Sequence, residues 1–223
     1  MGKIKHSHGM AICSLINGVP HILLMRRRLT YNFIEFITGV NNWQKMEKLL
    51  NGMTASEKLE LLSGNFAQIW WKLNLNNNTR CPVYKTYELK YNSLDKERLL
   101  HLINNSTDGD LIWEMPKGRI ERPETGLDAA IRETKEEIGV DRSQYKLLGE
   151  EFYHSLVDYD VRYTMKIYLA EATKNISLAM KDRHLFEVDT VRWFSLDQLV
   201  TNTPYYNLIC EILKKYTEIK LGV

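Results

Sequence analysis

Met10 to Ile16 is a run of small and apolar residues, Val19 to Met25 is another, and Asn17-Gly18 separates them. Two apolar runs joined by Asn-Gly predict a β-hairpin, because that pair accepts the positive φ angles of the tight turn that suits strand twist. From Tyr31 the spacing changes. Met46, Leu49, Leu50 and Met53 recur at helical intervals, as do Leu59 and Leu62, and then Phe66, Ile69 and Trp70. Thr54-Ala-Ser-Glu57 has the form of a capping box, with Thr54 as N-cap and Glu57 reaching back to it. Asn74 to Thr79 reads as a loop and Leu94 to Ile103 as a further helix. Strand signals return at Leu111–Met115, followed by a loop at Pro116-Lys117-Gly118 and a helix over Gly126–Ile138. Short strands are expected around Tyr145–Tyr153, Tyr163–Ala170 and Val188–Phe194, and a last helix over Tyr205–Tyr216. The pattern predicts a mostly helical insertion at residues 31–105, set into an α/β domain made of residues 1–30 and 106–223.

Composition narrows the class. The 223 residues are 44% hydrophobic and 26% charged, enough for a packed core and unlike a disordered chain. No apolar run reaches the ~18 residues of a membrane span. Cys13, Cys81 and Cys210 are odd in number and widely spaced, which suits neither a disulfide framework nor a zinc knuckle. With no apolar signal-peptide segment, and with His6 where a myristoylation signal needs Ser or Thr, the expectation is a cytoplasmic protein without a membrane anchor. The net charge of +2 is unevenly spread. Residues 1–30 hold Lys3, Lys5, Arg26, Arg27 and Arg28 and no acid, whereas residues 106–150 hold eleven acids against seven bases. An acidic centre beside a basic flank suits a metal site that handles a polyanion.

The helix over Gly126–Ile138 carries the chemistry. Leu127, Ala130, Ile131, Thr134 and Ile138 share one side, and Thr134 is the polar member. Glu133, Glu136 and Glu137 stand at i, i+3 and i+4 and share another. Three carboxylates on one face repel one another, and Arg132 and Lys135 relieve only part of that. Hard oxygen ligands in this number are what Mg²⁺ or Mn²⁺ requires. Gly139 suits a left-handed helix cap, and Gly118 a bend in the loop that offers a carbonyl to the same ions.

The stretch Gly118–Val140 resembles the Nudix box, Gly-x5-Glu-x7-Arg-Glu-U-x-Glu-Glu-x-Gly-U with U bulky and aliphatic. Gly118, Glu124, Arg132, Glu133, Glu136, Glu137 and Gly139 all match; Thr134 departs from the first U. The resemblance implies an α/β/α sandwich with a mixed sheet and metal-dependent hydrolysis of a pyrophosphate link. It implies Glu136 and Glu137 as main metal ligands, Glu133 as ligand or base, and a Glu124–Arg132 salt bridge that orients loop and helix. Glu187, ahead of Trp193, is similar to a downstream Glu that serves Nudix decapping enzymes as ligand or general base.

Leu111-Ile-Trp113-Glu-Met-Pro116-Lys117-Gly118 is similar to the strand that enters the box in mRNA-decapping and diphosphoinositol polyphosphate hydrolases, with Lys117 placed to meet a phosphate. The insertion, and the segment Arg27-Arg28-Leu29-Thr30-Tyr31-Asn32-Phe33, resemble the viral mRNA-decapping Nudix enzymes of African swine fever virus, poxviruses and giant viruses. That likeness implies capped RNA as substrate, release of 7-methyl-GDP and, for a viral protein, the host cytoplasm as its setting; it leaves a homodimer open. It also implies Tyr31 and Tyr168 as the two faces gripping a methylated guanine, with Asp158 or Asp160 on the guanine edge. Trp43, Trp70, Trp71, Tyr84, Tyr87 and Tyr91 lie among Lys72, Arg80, Lys85 and Lys90, a mixture that suits single-stranded RNA and suits a helical core equally. Lys85, Lys90, Arg28, Lys3 and Lys5 are the candidate RNA contacts. A small-molecule Nudix enzyme, cleaving diphosphoinositol or dinucleoside polyphosphates, is the alternative; an inactive RNA-binding protein conflicts with the intact glutamate set.

Overall fold

A computed structural model describes residues 3–39, 42–73, 82–158, 161–173, 176, 178, 187–199 and 205–222. In chain order its elements are β1 (Lys3–Ile16), β2 (Val19–Arg27), α1 (Tyr31–Thr38), α2 (Trp43–Leu50), α3 (Ala55–Ser63), α4 (Phe66–Lys72), α5 (Pro82–Asn92), α6 (Lys96–Asn104), β3 (Trp113–Glu114), β4 (Lys117–Gly118), α7 (Gly126–Ile138), β5 (Tyr145–Asp158), β6 (Val161–Ala172), β7 (Val188–Phe194) and α8 (Tyr206–Leu221). They form two compact units. One joins the chain up to Arg26 with the chain from Trp113 onward; the other is Arg27–Ile112.

In the first unit, seven strands among the described residues make one mixed sheet, in the order β3-β2-β1-β6-β5, with β4 pairing to β1 and β7 to β2. Asn17 at φ 52° and Gly18 at φ 78° make the predicted hairpin turn between β1 and β2. Strand alternation then sorts side chains to two faces. Ala11, Cys13, Ile22 and Leu24 pack with Leu208, Ile209, Ile212, Leu213 and Tyr216 of α8. Met10, Ile12, Leu23 and Met25 meet Ala130 and Ile138 of α7. The result is the expected α/β/α arrangement around a mixed sheet.

Several strands differ in length from the pattern; β5 runs on to Asp158 and β6 spans Val161–Ala172. β1 begins at Lys3 because its polar first half, Lys3 to Gly9, pairs in parallel with Val161 to Ile167 of β6; that partner is distant in sequence. β3 shrinks to Trp113–Glu114, paired with Met25 and Arg26 of β2.

The second unit is built from α1–α6 around Phe33, Phe36, Leu50, Met53, Leu61, Phe66, Ile69, Trp70, Tyr84, Tyr91 and Leu99. Phe66 lies 5.9, 5.3 and 5.5 Å from the rings of Trp70, Tyr84 and Tyr91. These three rings are therefore core, and the reading of them as a stacking surface for RNA is corrected; Trp71 is the exposed member, at 53%. The capping box forms as expected, with Glu57 N–H donating to Thr54 Oγ1 at 3.2 Å and Thr54 N–H to Glu57 Oε2 at 2.8 Å. Glu57 is itself buried and also accepts the backbone N–H (2.7 Å) and hydroxyl (2.9 Å) of Thr30. Next to it, buried Lys58 donates to the carbonyl of Thr107 and to Asp108, at 2.7 and 2.8 Å. Adjacent charges thus tie both ends of this unit to α3. Among the described residues no helix is long and apolar enough to cross a membrane. Asn74 to Thr79, expected as a loop, lies outside them.

Candidate active site

Helix α7 positions the carboxylates. Thr125 caps its start, accepting the Asp128 N–H at 3.2 Å while Asp128 accepts the Thr125 N–H at 3.0 Å. Gly139, at φ 71°, ends it in the left-handed conformation that other residues rarely adopt. Ala130, Thr134 and Ile138 face the sheet, and the buried Thr134 hydroxyl is satisfied by the Ala130 carbonyl at 2.7 Å. The three glutamates do not share one environment. Glu137 is buried, Glu133 is largely covered with a side chain 17% exposed, and Glu136 stands at 58%.

Strand β4 lies against this face. The Lys117 backbone N–H donates to Glu137 Oε2 at 2.9 Å. A Cβ on Gly118 would fall 1.7 Å from Glu133 Oε1, so glycine is required there because the carboxylate occupies the side-chain space. This replaces the expected bend: Gly118 sits in an extended strand paired with His8. Arg132 ties the face together. It pairs with Glu124 through two hydrogen bonds of 3.1 and 2.8 Å, with Glu133 at 2.8 Å and with Glu136 at 2.9 Å, and it donates to the Arg119 carbonyl at 2.9 Å.

The electrostatics divide the carboxylates into two kinds. Hydrogen bonds from Arg132 hold the Glu124 carboxyl below its ordinary value. Burial raises that of Glu133, against the pull of Arg132 and with Glu136 and Glu187 adding repulsion. Glu137 is pushed up to about 8, chiefly by burial, with Lys117 opposing and Glu114 and Glu133 adding to the rise. Glu187 is exposed just before β7, near enough to act on Glu133 through charge.

Because Arg132 draws in Glu133 and Glu136, the described residues contain no single cluster of three acidic or histidine side chains at ligand spacing. The donor set still fits a hard divalent cation: its members are carboxylate oxygens, gathered by α7 beside the Gly118 backbone.

Other expected contacts fall differently. The Lys117 ammonium, expected to meet a phosphate, pairs here with Glu114 at 2.6 Å, and its side chain is 11% exposed. Tyr168 is half-buried. Lys166 lies 5.1 Å over its ring, His8 stacks at 6.4 Å, and the Tyr168 hydroxyl lies 3.0 Å from the space beside Gly126, so the ring packs beneath α7. Tyr31 opens α1, is 41% exposed and carries the Arg27 guanidinium 4.3 Å over its ring. Lys5 donates to the Tyr163 hydroxyl at 3.3 Å. Arg28 is half-buried, Lys85 is exposed, and Lys90 lies 5.2 Å over the Tyr87 ring. Asp160 and the side chains of Lys3 and Asp158 lie outside the described residues. Glu114, fully buried on β3, was missed; its signal was a lone acid inside the apolar stretch Leu111–Met115.

The NUDIX domain profile matches residues 94–212. The mRNA-decapping protein g5R of African swine fever virus (strain Badajoz 1971 Vero-adapted) is 29% identical, over 92% of this chain and 90% of its own. The asymmetrical bis(5′-nucleosyl)-tetraphosphatase of Mus musculus is 28% identical, over 47% of this chain and 70% of its own. Among solved structures, the Caenorhabditis elegans Ap4A hydrolase binary complex aligns with 98% of each chain at a TM-score of 0.52 and 15% identity, a likeness of fold. With the profile covering more than half of its 223 residues and every fixed residue of the box in place from β4 to the Gly139 cap of α7, the chain belongs to the Nudix hydrolase family.

Proposed function

We propose that the protein hydrolyses the 5′ cap of mRNA, releasing 7-methyl-GDP and leaving 5′-monophosphate RNA. One observation carries this reading: the likeness to the viral decapping protein spans 92% of the chain, helical unit included, whereas the tetraphosphatase aligns with 47%. A small dinucleotide gives no reason for an added helical unit; a long RNA chain does.

In this reading Glu133, Glu136 and Glu137, with the Gly118 carbonyl and Glu187, hold Mg²⁺ or Mn²⁺. That cation supplies neutralisation of phosphate charge and a lowered pKa for the attacking water. Where Glu187 serves as general base rather than ligand, its carboxylate would accept the proton of the attacking water, and the bond to the leaving phosphate oxygen would break as the new bond to phosphorus forms. Arg132, clamped by Glu124, keeps β4 and α7 in register so that Glu133 stays over Gly118. Lys85, Lys90 and Arg28, together with Lys3 and Lys5, attract the RNA backbone. Capped messages in the host cytoplasm are the substrate class.

The test uses RNA labelled in its cap, incubated with the protein and Mg²⁺ or Mn²⁺, with products separated by chromatography. The expected result is 7-methyl-GDP, lost in Glu137→Gln. No release, with diadenosine tetraphosphate cleaved in the same buffer, would favour the second reading, an asymmetrical dinucleoside tetraphosphatase, for which the 28% identity over 47% of this chain speaks.

A further inference from the structure

We infer that Glu114 is a positioning residue of the catalytic centre: by holding the Lys117 ammonium, it leaves the Glu137 carboxylate open to a divalent cation. This rests on the reading of Glu137 as a ligand.

Strand alternation places Glu114 on the α7 side of the sheet. Its neighbour Met115 packs into the α8-side core, and its register partner Met25 into the α7-side core. It is 0% exposed, a position at which a carboxylate survives only with a partner. That partner is the Lys117 ammonium, at 2.6 Å. Lys117 then meets two buried acids with two different groups: its ammonium meets Glu114, and its backbone N–H meets Glu137 at 2.9 Å. The Tyr205 ring, 5.7 Å from the same ammonium, is a second restraint on where that charge rests.

The charge count gives the arrangement its meaning. Two buried carboxylates face one ammonium, and that ammonium is paired with Glu114, so the Glu137 oxygens are left for a cation on the side where Glu133 also lies. Remove the charge of Glu114, and the ammonium, whose charge already acts on Glu137, is drawn toward that carboxylate; it then competes with the cation for the same oxygens. Partners of ligands, one shell out from a metal, typically change its affinity by about 10- to 100-fold.

The experiment measures Mn²⁺ binding by electron paramagnetic resonance on the purified full-length protein, with folding checked by circular dichroism. Glu114→Gln is expected to weaken Mn²⁺ binding at least tenfold, while KM for capped RNA at saturating Mn²⁺ stays within threefold. Adding Lys117→Met to Glu114→Gln is expected to restore binding, because the competing cation is gone. A purely structural role for Glu114 predicts no such rescue. Wild-type affinity in folded Glu114→Gln, or a double variant as weak as the single one, overturns the inference. Should Glu114→Gln fail to fold, Lys117→Met alone decides: it is expected to bind Mn²⁺ at least as tightly as the wild type, and weaker binding overturns the inference. Glu137→Gln separates the two levels. If it binds Mn²⁺ normally, the ligand reading of Glu137 falls, and this inference with it. If it binds weakly while Glu114→Gln binds normally, only the inference falls.

Discussion

Both units of the molecule bury a glutamate beside a lysine, and they treat the pair in opposite ways. In the helical unit, Glu57 accepts hydrogen bonds from the Thr30 N–H, the Thr30 hydroxyl and the Thr54 N–H, while Lys58 donates to Thr107 and Asp108. Buried charge there is spent on local donors and acceptors, and it fixes backbone. On the catalytic face, Glu137 and Glu114 share Lys117, and burial, with Glu114 and Glu133 adding repulsion, pushes the Glu137 carboxyl up to about 8. Buried charge that its surroundings satisfy builds structure; buried charge left in excess marks a place that handles a cation or a proton.

The largest effect expected from this contrast is on turnover. Glu137→Gln keeps shape and removes charge, so kcat should fall by about 10³-fold, as for loss of a key electrostatic group. Stability should move the other way. An acid whose folded pKa is raised stabilises the fold fully while protonated, and that contribution is lost as pH rises from the unfolded value of 4.5 toward about 8. With chelator present, Glu137→Gln should therefore melt above the wild type at pH 8 and close to it at pH 5. A variant that melts lower at both pH values would place Glu137 with Glu57, among the structural acids.

Glu57→Ala is the mirror experiment. It strips the capping box and leaves the Thr30 and Thr54 N–H groups without their acceptor, in a site where Thr30 is 2% exposed. The loss should be about 2–4 kcal/mol in urea unfolding, from unsatisfied buried donors and a lost cap. A loss below about 1 kcal/mol, typical of surface changes, would show that Glu57 does not hold the unit together.

What was legible in the sequence follows from range. The Asn17-Gly18 hairpin, the Thr54–Glu57 box and the span of α7 with its Gly139 cap are decided within a few residues, and the structure places them where the pattern did. The first half of β1 was not legible, since polar Lys3 to His8 becomes strand only by pairing with β6, some 158 residues on. The α7 carboxylates were legible as a set, but their division was not. Glu137 is buried and Glu136 exposed because β4 covers one side of the face, and β4 is only two residues long. Lys117 reads from the sequence as a phosphate contact, and its ion pair with Glu114 is decided by burial that the local pattern does not carry. Trp70, Tyr84 and Tyr91 have a spacing that serves RNA stacking and core packing alike, and only the ring contacts with Phe66 decide between them.

A smaller effect is expected where the helical unit meets solvent. Charge reversal of Lys85 and Lys90 should weaken cleavage of capped RNA about tenfold at low salt and leave diadenosine tetraphosphate untouched. If both lysines contact phosphates, the slope of log affinity against log salt should fall by about 1.4, from ~0.7 per phosphate on a single strand. Equal losses on both substrates would argue against an RNA path over this unit.

The smallest effect tests the one departure from the box. Thr134 is fully buried against the sheet, and its hydroxyl donates to the Ala130 carbonyl, which as an interior helix carbonyl also accepts the Thr134 backbone N–H. Thr134→Val keeps the β-branched shape, adds a buried methyl and removes a hydroxyl, while the carbonyl keeps its helix bond and so nothing is orphaned. The exchange should stabilise the protein by about 0.5–1 kcal/mol in urea unfolding, near the transfer energy of one methylene, with turnover unchanged because the Thr134 side chain donates to the Ala130 carbonyl rather than to a carboxylate. A destabilised Thr134→Val would mean that the hydroxyl's hydrogen bond outweighs burial of the methyl, and would make the departure at Thr134 an adaptation of this helix to its own core.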